Sequence, residues 1–334
     1  MPASSELIDD LRSVEGARLW VDAPMAPFTT IGTGGKADLL VTVADTTTAV
    51  GTLRVLEDHG VPWICLGAGT DLLFADEGYE GVVVKLADSF HYVEGMPAPS
   101  VGMEDGAAVE RVTVTVGAGT LLARFAALAA EAGLSGLEFA CGIPGSVGGG
   151  VATNAGAYGS SMAEVVEEIE LATASGVSWT KVADLEWDYR LCRLPAGALV
   201  TAVRLTLTRG EAAAILECHR SILRQRRSAQ PRGVRTFGCT FKNPTGGGAG
   251  RLIEAAGLKG VRRGGAEVSR VHANFLVNLG DATTADVLAL MSLMRAEVER
   301  TSDVSLEPEV RLLGTHFPWE ASTAGPQEPP DSDG

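Results

Sequence analysis

The chain lacks most of what ties a protein to a membrane, a metal or a nucleic acid. No apolar run in it approaches the roughly 20 residues a membrane-spanning helix needs. The acidic N-terminus, MPASSELIDDLRS, has none of the basic-then-apolar pattern of a secretion signal. There are only five cysteines (Cys65, Cys141, Cys192, Cys218, Cys239), widely spaced and without a CxxC or Cys/His spacing. That excludes a disulfide framework and a structural zinc site, and it fits a reducing compartment. Acidic residues outnumber basic ones 42 to 27, for a net charge of −15. Attraction to nucleic acid or to an anionic lipid surface is thereby excluded, and any anionic ligand must be held by a local basic cluster. The expectation is a soluble cytoplasmic protein that binds neither membrane nor metal.

Glycine, by contrast, is abundant and unevenly placed. Nine of the 27 residues in GLSGLEFACGIPGSVGGGVATNAGAYG (133–159) are glycine. Glycine costs conformational entropy and packs nothing, so such density needs a reason. A flexible linker would be polar and serine-rich, whereas this stretch interleaves Leu134, Leu137, Phe139, Ile143, Val147 and Val151. It reads as a packed, irregular segment whose backbone N–H groups can approach a diphosphate.

The chain of 334 residues is long enough for two or three domains, and 46% hydrophobic with 21% charged residues is ordinary for a soluble globular protein. Residues 1 to about 20 read as a short helix before turns at Pro24 and Pro27, and FTTIGTGGKADLLVTV (28–43) as a glycine turn feeding a strand. A helix is predicted over 46–59, then a buried strand VPWICL (61–66) running into GAGTDL (67–72). Residues 72–86 read as turn plus strand and not as helix, which excludes the dinucleotide fingerprint of an NAD-type fold. Residues 88–110 read as an acidic surface loop, 111–119 as an alternating strand, and 121–133 as a helix with Leu121, Leu122, Phe125, Leu128, Ala129 and Ala132 on one face. Strands dominate up to 207. The pattern changes at Gly210, where a helix (211–227) with a basic C-terminal end begins a last domain. Next come FGCTFKNP (237–244), a helix (249–258), a strand (273–278), a helix (283–300) with Val287, Leu288, Met291, Met294 and Val298 on one face, and a closing strand (306–314). The tail, ASTAGPQEPPDSDG, is polar and proline-rich and reads as disordered.

These blocks resemble, in order and over roughly residues 20 to 314, the UDP-N-acetylenolpyruvoylglucosamine reductase (UDP-N-acetylmuramate dehydrogenase) family of the bacterial cell wall. TTIGTGGKADLLV (29–41), LGAGTDLLFADEGYEGVVVKL (66–86) and the glycine-rich segment are similar to its flavin-binding region. DYRLCRLP (188–195), FGCTFKNP, AGRLIEAAGLKG (249–260), VSRVHANFLVN (268–278) and LEPEVRLLG (306–314) are similar to its catalytic and substrate blocks, in a form without an extra substrate-capping insertion. The resemblance implies an α+β fold: a two-part FAD-binding region of the PCMH or vanillyl-alcohol-oxidase type (1–60 and 61–209), an α/β substrate-binding domain (210–316) and a tail (317–334). It implies FAD and NADPH as cofactors, a nucleotide-sugar substrate and a monomer.

Residue by residue, the resemblance assigns cofactor contacts to Gly67, Ala68, Gly69, Thr70, Asp71 and Leu72 of the first turn. In the second it assigns them to Cys141, Ile143, Pro144, Gly145, Ser146, Gly148, Gly149, Asn154, Gly156, Ala157 and Tyr158. Tyr189, Arg226, Lys242, Asn243, His272 and Asn274 are implied to bind substrate. Arg190, Cys239 and Glu309 inherit catalysis: Arg190 for the substrate carboxylate, Glu309 through a hydrogen bond, Cys239 as proton donor. The implied reaction adds hydride from FAD N5 to an enolpyruvyl double bond, and Cys239 then protonates the carbon next to the carboxylate.

Four positions depart from the family pattern. Cys239 stands where serine is usual, Asp71 where asparagine is, Gly32 where a basic residue is, and Cys192 where serine is. A related flavoenzyme with another substrate, or an inactive nucleotide-sugar-binding paralogue, stays open on this reading. Loss of activity on the alkaline side, as the Cys239 thiol ionises near Arg190, is an expectation of the same reading.

Overall fold

A computed structural model describes residues 3–98 and 110–320 of the chain. The chain forms two compact units, one of Met1–Ala23, Ala37–Thr70 and Glu80–Gln230, the other of Pro24–Lys36, Asp71–Tyr79 and Pro231–Gly334.

Two larger sheets and two short two-stranded hairpins lie in the first unit. In the smaller of the two sheets, the strands Arg18–Pro24, Lys36–Val43, Tyr79–Leu86 and Trp63–Leu66 lie side by side, the last two parallel. Helix α1 (Ser5–Ser13), capped by the Ser4 hydroxyl, and α2 (Thr46–Asp58), capped by Asp45, bury Leu7, Leu11, Leu53 and Leu56 in the same core. The first strand was not expected: RLWVDAP follows the predicted helix without its own alternation, and only Ala23 is fully buried.

The larger sheet runs Gly176–Lys181, Val166–Thr173, Leu199–Arg209, Arg111–Gly117 and Val93–Glu94, with Leu134–Ser135 paired onto Leu199–Arg209. Its central strand is buried on both faces from Leu199 to Val203 and then alternates, Leu205 and Leu207 buried and Arg204 and Thr206 only partly so. Part of the expected 88–110 loop is therefore structured, as the turn Asp88–Phe90 and the strand Val93–Glu94, while 99–109 lie outside the described residues.

Helix α3 (Leu122–Glu131) buries Leu122, Phe125, Ala126 and Ala129. Leu121 is not on that face; it is the residue before the helix, 52% exposed. Helix α4 (Val147–Ala152) is the short glycine helix of the central loop. Helix α5 (Ala212–Ala229) packs on α3 and on Glu138–Ala140. The pattern change at Gly210 pointed to a new domain there, yet α5 makes its contacts within the first unit. The cause is local: the Gly210 N–H donates to the Gly133 carbonyl, 2.9 Å away, and Ile215 is buried at the start of the helix.

The second unit is built on α6 (Ala249–Ala255) and α7 (Thr284–Ser302). It also contains a three-stranded sheet (Arg262–Arg263, Ala266–Val268, Leu276–Asn278) and the parallel pair Leu72–Phe74 and Arg311–Leu313. A capping box of Thr283 and Asp286 starts α7, and Asp303 ends it in the left-handed region at φ 55°. Val287, Leu290, Met291, Met294 and Val298 face the core, so the buried stripe runs through Leu290 where Leu288, only partly buried, was expected. The closing strand is confined to Arg311–Leu313. Phe317 is buried in this core and stacks on Trp319 at 4.8 Å. The expected disordered stretch 321–334 lies outside the described residues.

Candidate functional site

Two constellations, one in each unit, collect most of the candidate residues. In the first unit a cleft of about 530 Å³ opens between the two glycine turns. Gly67, Ala68, Ser146, Gly148 and Gly149 line it. The turns meet closely: a Cβ at Gly67 would lie 2.6 Å from the Ser146 hydroxyl, and one at Gly145 3.3 Å from that of Thr70. Ser146 is itself fixed, because its hydroxyl accepts from the Gly149 N–H at 3.2 Å. A Cβ at Gly148 would come within 2.9 Å of the Ala118 methyl. The chemistry here is open backbone plus the cations Lys85 and Arg124 on the lining, which suits an anionic dinucleotide.

Sequence reasoning missed several lining residues, among them Lys85, His91, Tyr92, Gly119, Thr120 and Arg124. A signal was present: Gly117-Ala118-Gly119-Thr120 repeats the Gly67-Ala68-Gly69-Thr70 of the first turn.

The rest of the glycine-rich segment is tied to the hairpin Glu186–Asp188 and Leu191–Arg193. The Asn154 amide donates to the Asp188 carbonyl at 3.0 Å and accepts from the Ala163 N–H at 3.1 Å. Arg190 sits in the hairpin turn at φ 60° and donates from Nη1 to the Gly156 carbonyl at 3.0 Å. Its guanidinium lies 5.4 Å from the centre of the exposed Tyr189 ring. Gly156 and Ala157 pair with Ser161 and Ser160. Tyr158, at φ 56° and 54% exposed, lines a separate groove with Glu138 and Phe139. Burial pushes the Cys192 thiol up to about 11, which keeps it protonated.

Cys141 is buried, and its Sγ lies 3.4 Å from His219 Nε2 on α5. Burial raises the thiol's pKa against the pull of Arg226 and Arg227, and burial lowers that of His219 against Glu131 and Glu138. Both groups are therefore neutral at neutral pH. The Arg226 side chain runs along Gly142, and its Nε is buried without a hydrogen-bond partner among the described residues. Ile143 packs against the first core, and Pro144 is exposed.

Asp71 and Leu72 belong to the second unit. The Asp71 carbonyl accepts from the Arg311 N–H at 2.9 Å, and Leu72 opens the parallel strand pair. In that unit the segment Cys239–Phe241 is held from both sides. Cys239 pairs with Phe275 and Phe241 with Pro308. The Thr240 N–H donates to the Asn274 carbonyl at 2.8 Å, and the Glu309 N–H to the Thr240 carbonyl at 2.9 Å. Cys239 and Glu309 are thereby brought to one turn although 70 residues separate them in sequence.

Asn274, 1% exposed, secures the arrangement: its amide accepts from the Phe241 N–H at 3.0 Å and donates to the Phe241 carbonyl at 2.8 Å. Both atoms serve the turn. Removing them strands two buried backbone groups at about 1–3 kcal/mol each. Asn274→Ala is expected to lower stability by several kcal/mol, measured by denaturant unfolding; a loss below about 1 kcal/mol would count against this role.

Lys242 lies 3.4 Å from Glu307, and the Asn243 side chain accepts from the Ala249 N–H at 3.0 Å, holding the start of α6. His272 packs edge-on against Phe275 at 4.9 Å and accepts from the Asn274 N–H. Burial, then Lys259, lowers its pKa, so the ring is neutral near pH 7. Among the described residues no group of three or more His, Cys, Asp or Glu side chains could hold a metal, and no helix is long and apolar enough to cross a membrane.

A family model described as "FAD binding domain" matches residues 37–180. With the glycine-lined cleft, this defines a flavoprotein, an FAD-dependent oxidoreductase of the α+β class. A second model, "UDP-N-acetylenolpyruvoylglucosamine reductase, C-terminal domain", matches residues 230–313. The chain is 48% identical over 293 residues to the UDP-N-acetylenolpyruvoylglucosamine reductase of Anaeromyxobacter sp. (strain Fw109-5), covering 88% of each protein. It is 40% identical to that of Myxococcus xanthus, covering 91% of this chain and 95% of the relative. The crystal structure of the Thermus caldophilus reductase is similar at a TM-score of 0.74 and 36% identity, over 89% of this chain and 98% of that one. The chain belongs to the UDP-N-acetylenolpyruvoylglucosamine reductase family.

Proposed function

We propose that the chain reduces the enolpyruvyl group of UDP-N-acetylglucosamine-enolpyruvate, giving UDP-N-acetylmuramate for peptidoglycan synthesis, as a cytoplasmic monomer. FAD, itself reduced by NADPH, supplies the hydride that adds to the double bond. The first unit carries the cofactor: the backbone at Gly67, Ala68, Gly148 and Gly149 would hold its diphosphate, with Lys85 and Arg124 supplying positive charge. The second unit carries the nucleotide-sugar.

The observation that supports this reading most is the turn joining Cys239 to Glu309 through the Thr240 carbonyl. The intermediate is a carbanion beside a carboxylate and needs one proton. A thiol, with an ordinary pKa of about 8.5, still carries a proton to give at neutral pH. Glu309, whose N–H is bonded to the carbonyl one residue after Cys239, serves as the hydrogen-bonding partner of the developing charge. Arg190, preset by its bond to Gly156, offers a permanently charged fork for the substrate carboxylate.

The test is anaerobic single turnover. NADPH-reduced protein mixed with UDP-N-acetylglucosamine-enolpyruvate is expected to recover its oxidised flavin spectrum rapidly. Recovery only with oxygen would overturn the substrate, and NADH reducing the flavin as fast as NADPH would overturn the coenzyme preference.

A further inference from the structure

The geometry points to Arg235 as a phosphate-binding residue for the nucleotide that enters the second unit. Its side chain lies over Gly32: a Cβ there would sit 2.9 Å from both the Arg235 Cδ and Nη1, and 3.4 Å from Cζ. A larger residue there would push the arginine aside, and φ 74° is a backbone conformation that favours glycine. The arginine thus rests along the main chain at Gly32, a contact that lowers the ordering cost of binding.

The two segments are also locked together. The buried Asn278 donates from its side-chain amide to the Ile31 carbonyl at 2.9 Å, and its backbone N–H donates to the Arg235 carbonyl at 2.9 Å. The Asn278 side-chain oxygen accepts from the N–H groups of Gly280 and Ala282, which completes its hydrogen bonding.

Three observations favour an anionic ligand over a packing role alone. Arg235 is exposed. Arg235 has no ion pair among the described residues, unlike Lys242, held by Glu307, and Arg262, held by the buried Glu267. And it shares one stretch with Cys239: residues 235 and 239 pair with 278 and 275 of the same segment. Three to four residues at about 3.3 Å each set the two roughly 10–13 Å apart, the scale of a hexose that bears a reacting group at one end and a diphosphate at the other. An arginine fork is suited to a phosphate bidentately.

The assignment deepens the reductase reading and rests on it for the ligand's identity. The phosphate can come from the UDP-sugar or from the 2′-phosphate of NADPH, so the experiment has an arm for each. Arg235→Met keeps the aliphatic stem over Gly32 and removes the charge; Arg235→Lys keeps the charge. Calorimetric titration of the flavin-loaded protein with UDP needs no turnover. KM for the enolpyruvyl substrate, and separately for NADPH against NADH, is read from steady-state rates. Arg235→Met is expected to weaken one phosphate ligand by about 10- to 100-fold, with kcat within about threefold, the melting temperature unchanged and partial recovery in Arg235→Lys. Loss on the UDP arm assigns the sugar nucleotide, and loss for NADPH but not NADH assigns the coenzyme. Unchanged affinity on both arms, or equal effects of Met and Lys, overturns the proposal. A wild type that binds UDP but does not turn over the enolpyruvyl substrate sinks the reductase reading and leaves the Arg235 comparison on the UDP arm standing.

Discussion

Cys239→Ala is expected to purify yellow, to be reduced by NADPH at the wild-type rate, and to lose its substrate-driven return to the oxidised state by about 10²- to 10⁴-fold. That is the range of a general acid removed from a reaction that needs one proton. The structural basis is the narrowness of the turn: Cys239 pairs with Phe275 and is followed by a residue whose carbonyl is bonded to Glu309. Thr240 is wholly buried and Phe241 is pinned by Asn274, so neither of the two residues that follow the thiol is placed to replace it. Cys239→Ser is expected to fall between the two, because a hydroxyl retains a proton but is the weaker acid. The readout is single-turnover absorbance. Wild-type speed in Cys239→Ala would move the proton donor elsewhere and leave the substrate assignment intact.

Gly67→Val is expected to yield a folded but colourless protein. The new Cβ alone would sit 2.6 Å from the Ser146 hydroxyl, far inside van der Waals contact. Ser146 cannot yield cheaply, because it caps α4 through the Gly149 N–H. The backbone at 67 must shift instead, and with it the cleft that both glycine turns share. Overpacking of this kind costs about 1–3 kcal/mol, which the two apolar cores tolerate, but it displaces the diphosphate cradle by the distance that matters for binding. The flavin-to-protein absorbance ratio should fall at least tenfold. Gly247→Ala, where an added Cβ meets nothing within 4 Å, should stay yellow. If Gly67→Val retains full flavin occupancy, this is not the cofactor cleft.

The legible parts of the fold were those with a period. Helices α3 and α7 announce themselves through a spaced apolar stripe, and the central strand Leu199–Arg209 through Val203, Leu205 and Leu207 alternating with Arg204 and Thr206. The strand Arg18–Pro24 was not legible because an edge strand with one fully buried residue carries no alternation. Contact order explains the rest. No local signal says that Gly67 will meet Ser146, that Glu309 will bond to Thr240, or that the Arg235 stem will cover Gly32. Such pairings arise from packing over long separations. The substrate-side residues show the same limit from the other direction. Asn243 and Asn274 stand out in sequence as polar groups beside a candidate thiol, yet each side chain holds backbone, one at the start of α6 and one on Phe241.

The parallel pair formed by Leu72–Phe74 and Arg311–Leu313 bears on how the protein is made. During synthesis the segment Asp71–Tyr79 leaves the ribosome early, but its partner strand emerges only after α7. Until then the edge of Leu72–Phe74 is open, and the core that wholly buries Leu73 in the finished unit is incomplete. Pairings of this separation are slow to find and leave apolar edges open meanwhile. The second unit therefore cannot close until its last strand is made, and a chain cut anywhere before 311 would leave the segment Asp71–Tyr79 without its pairing strand.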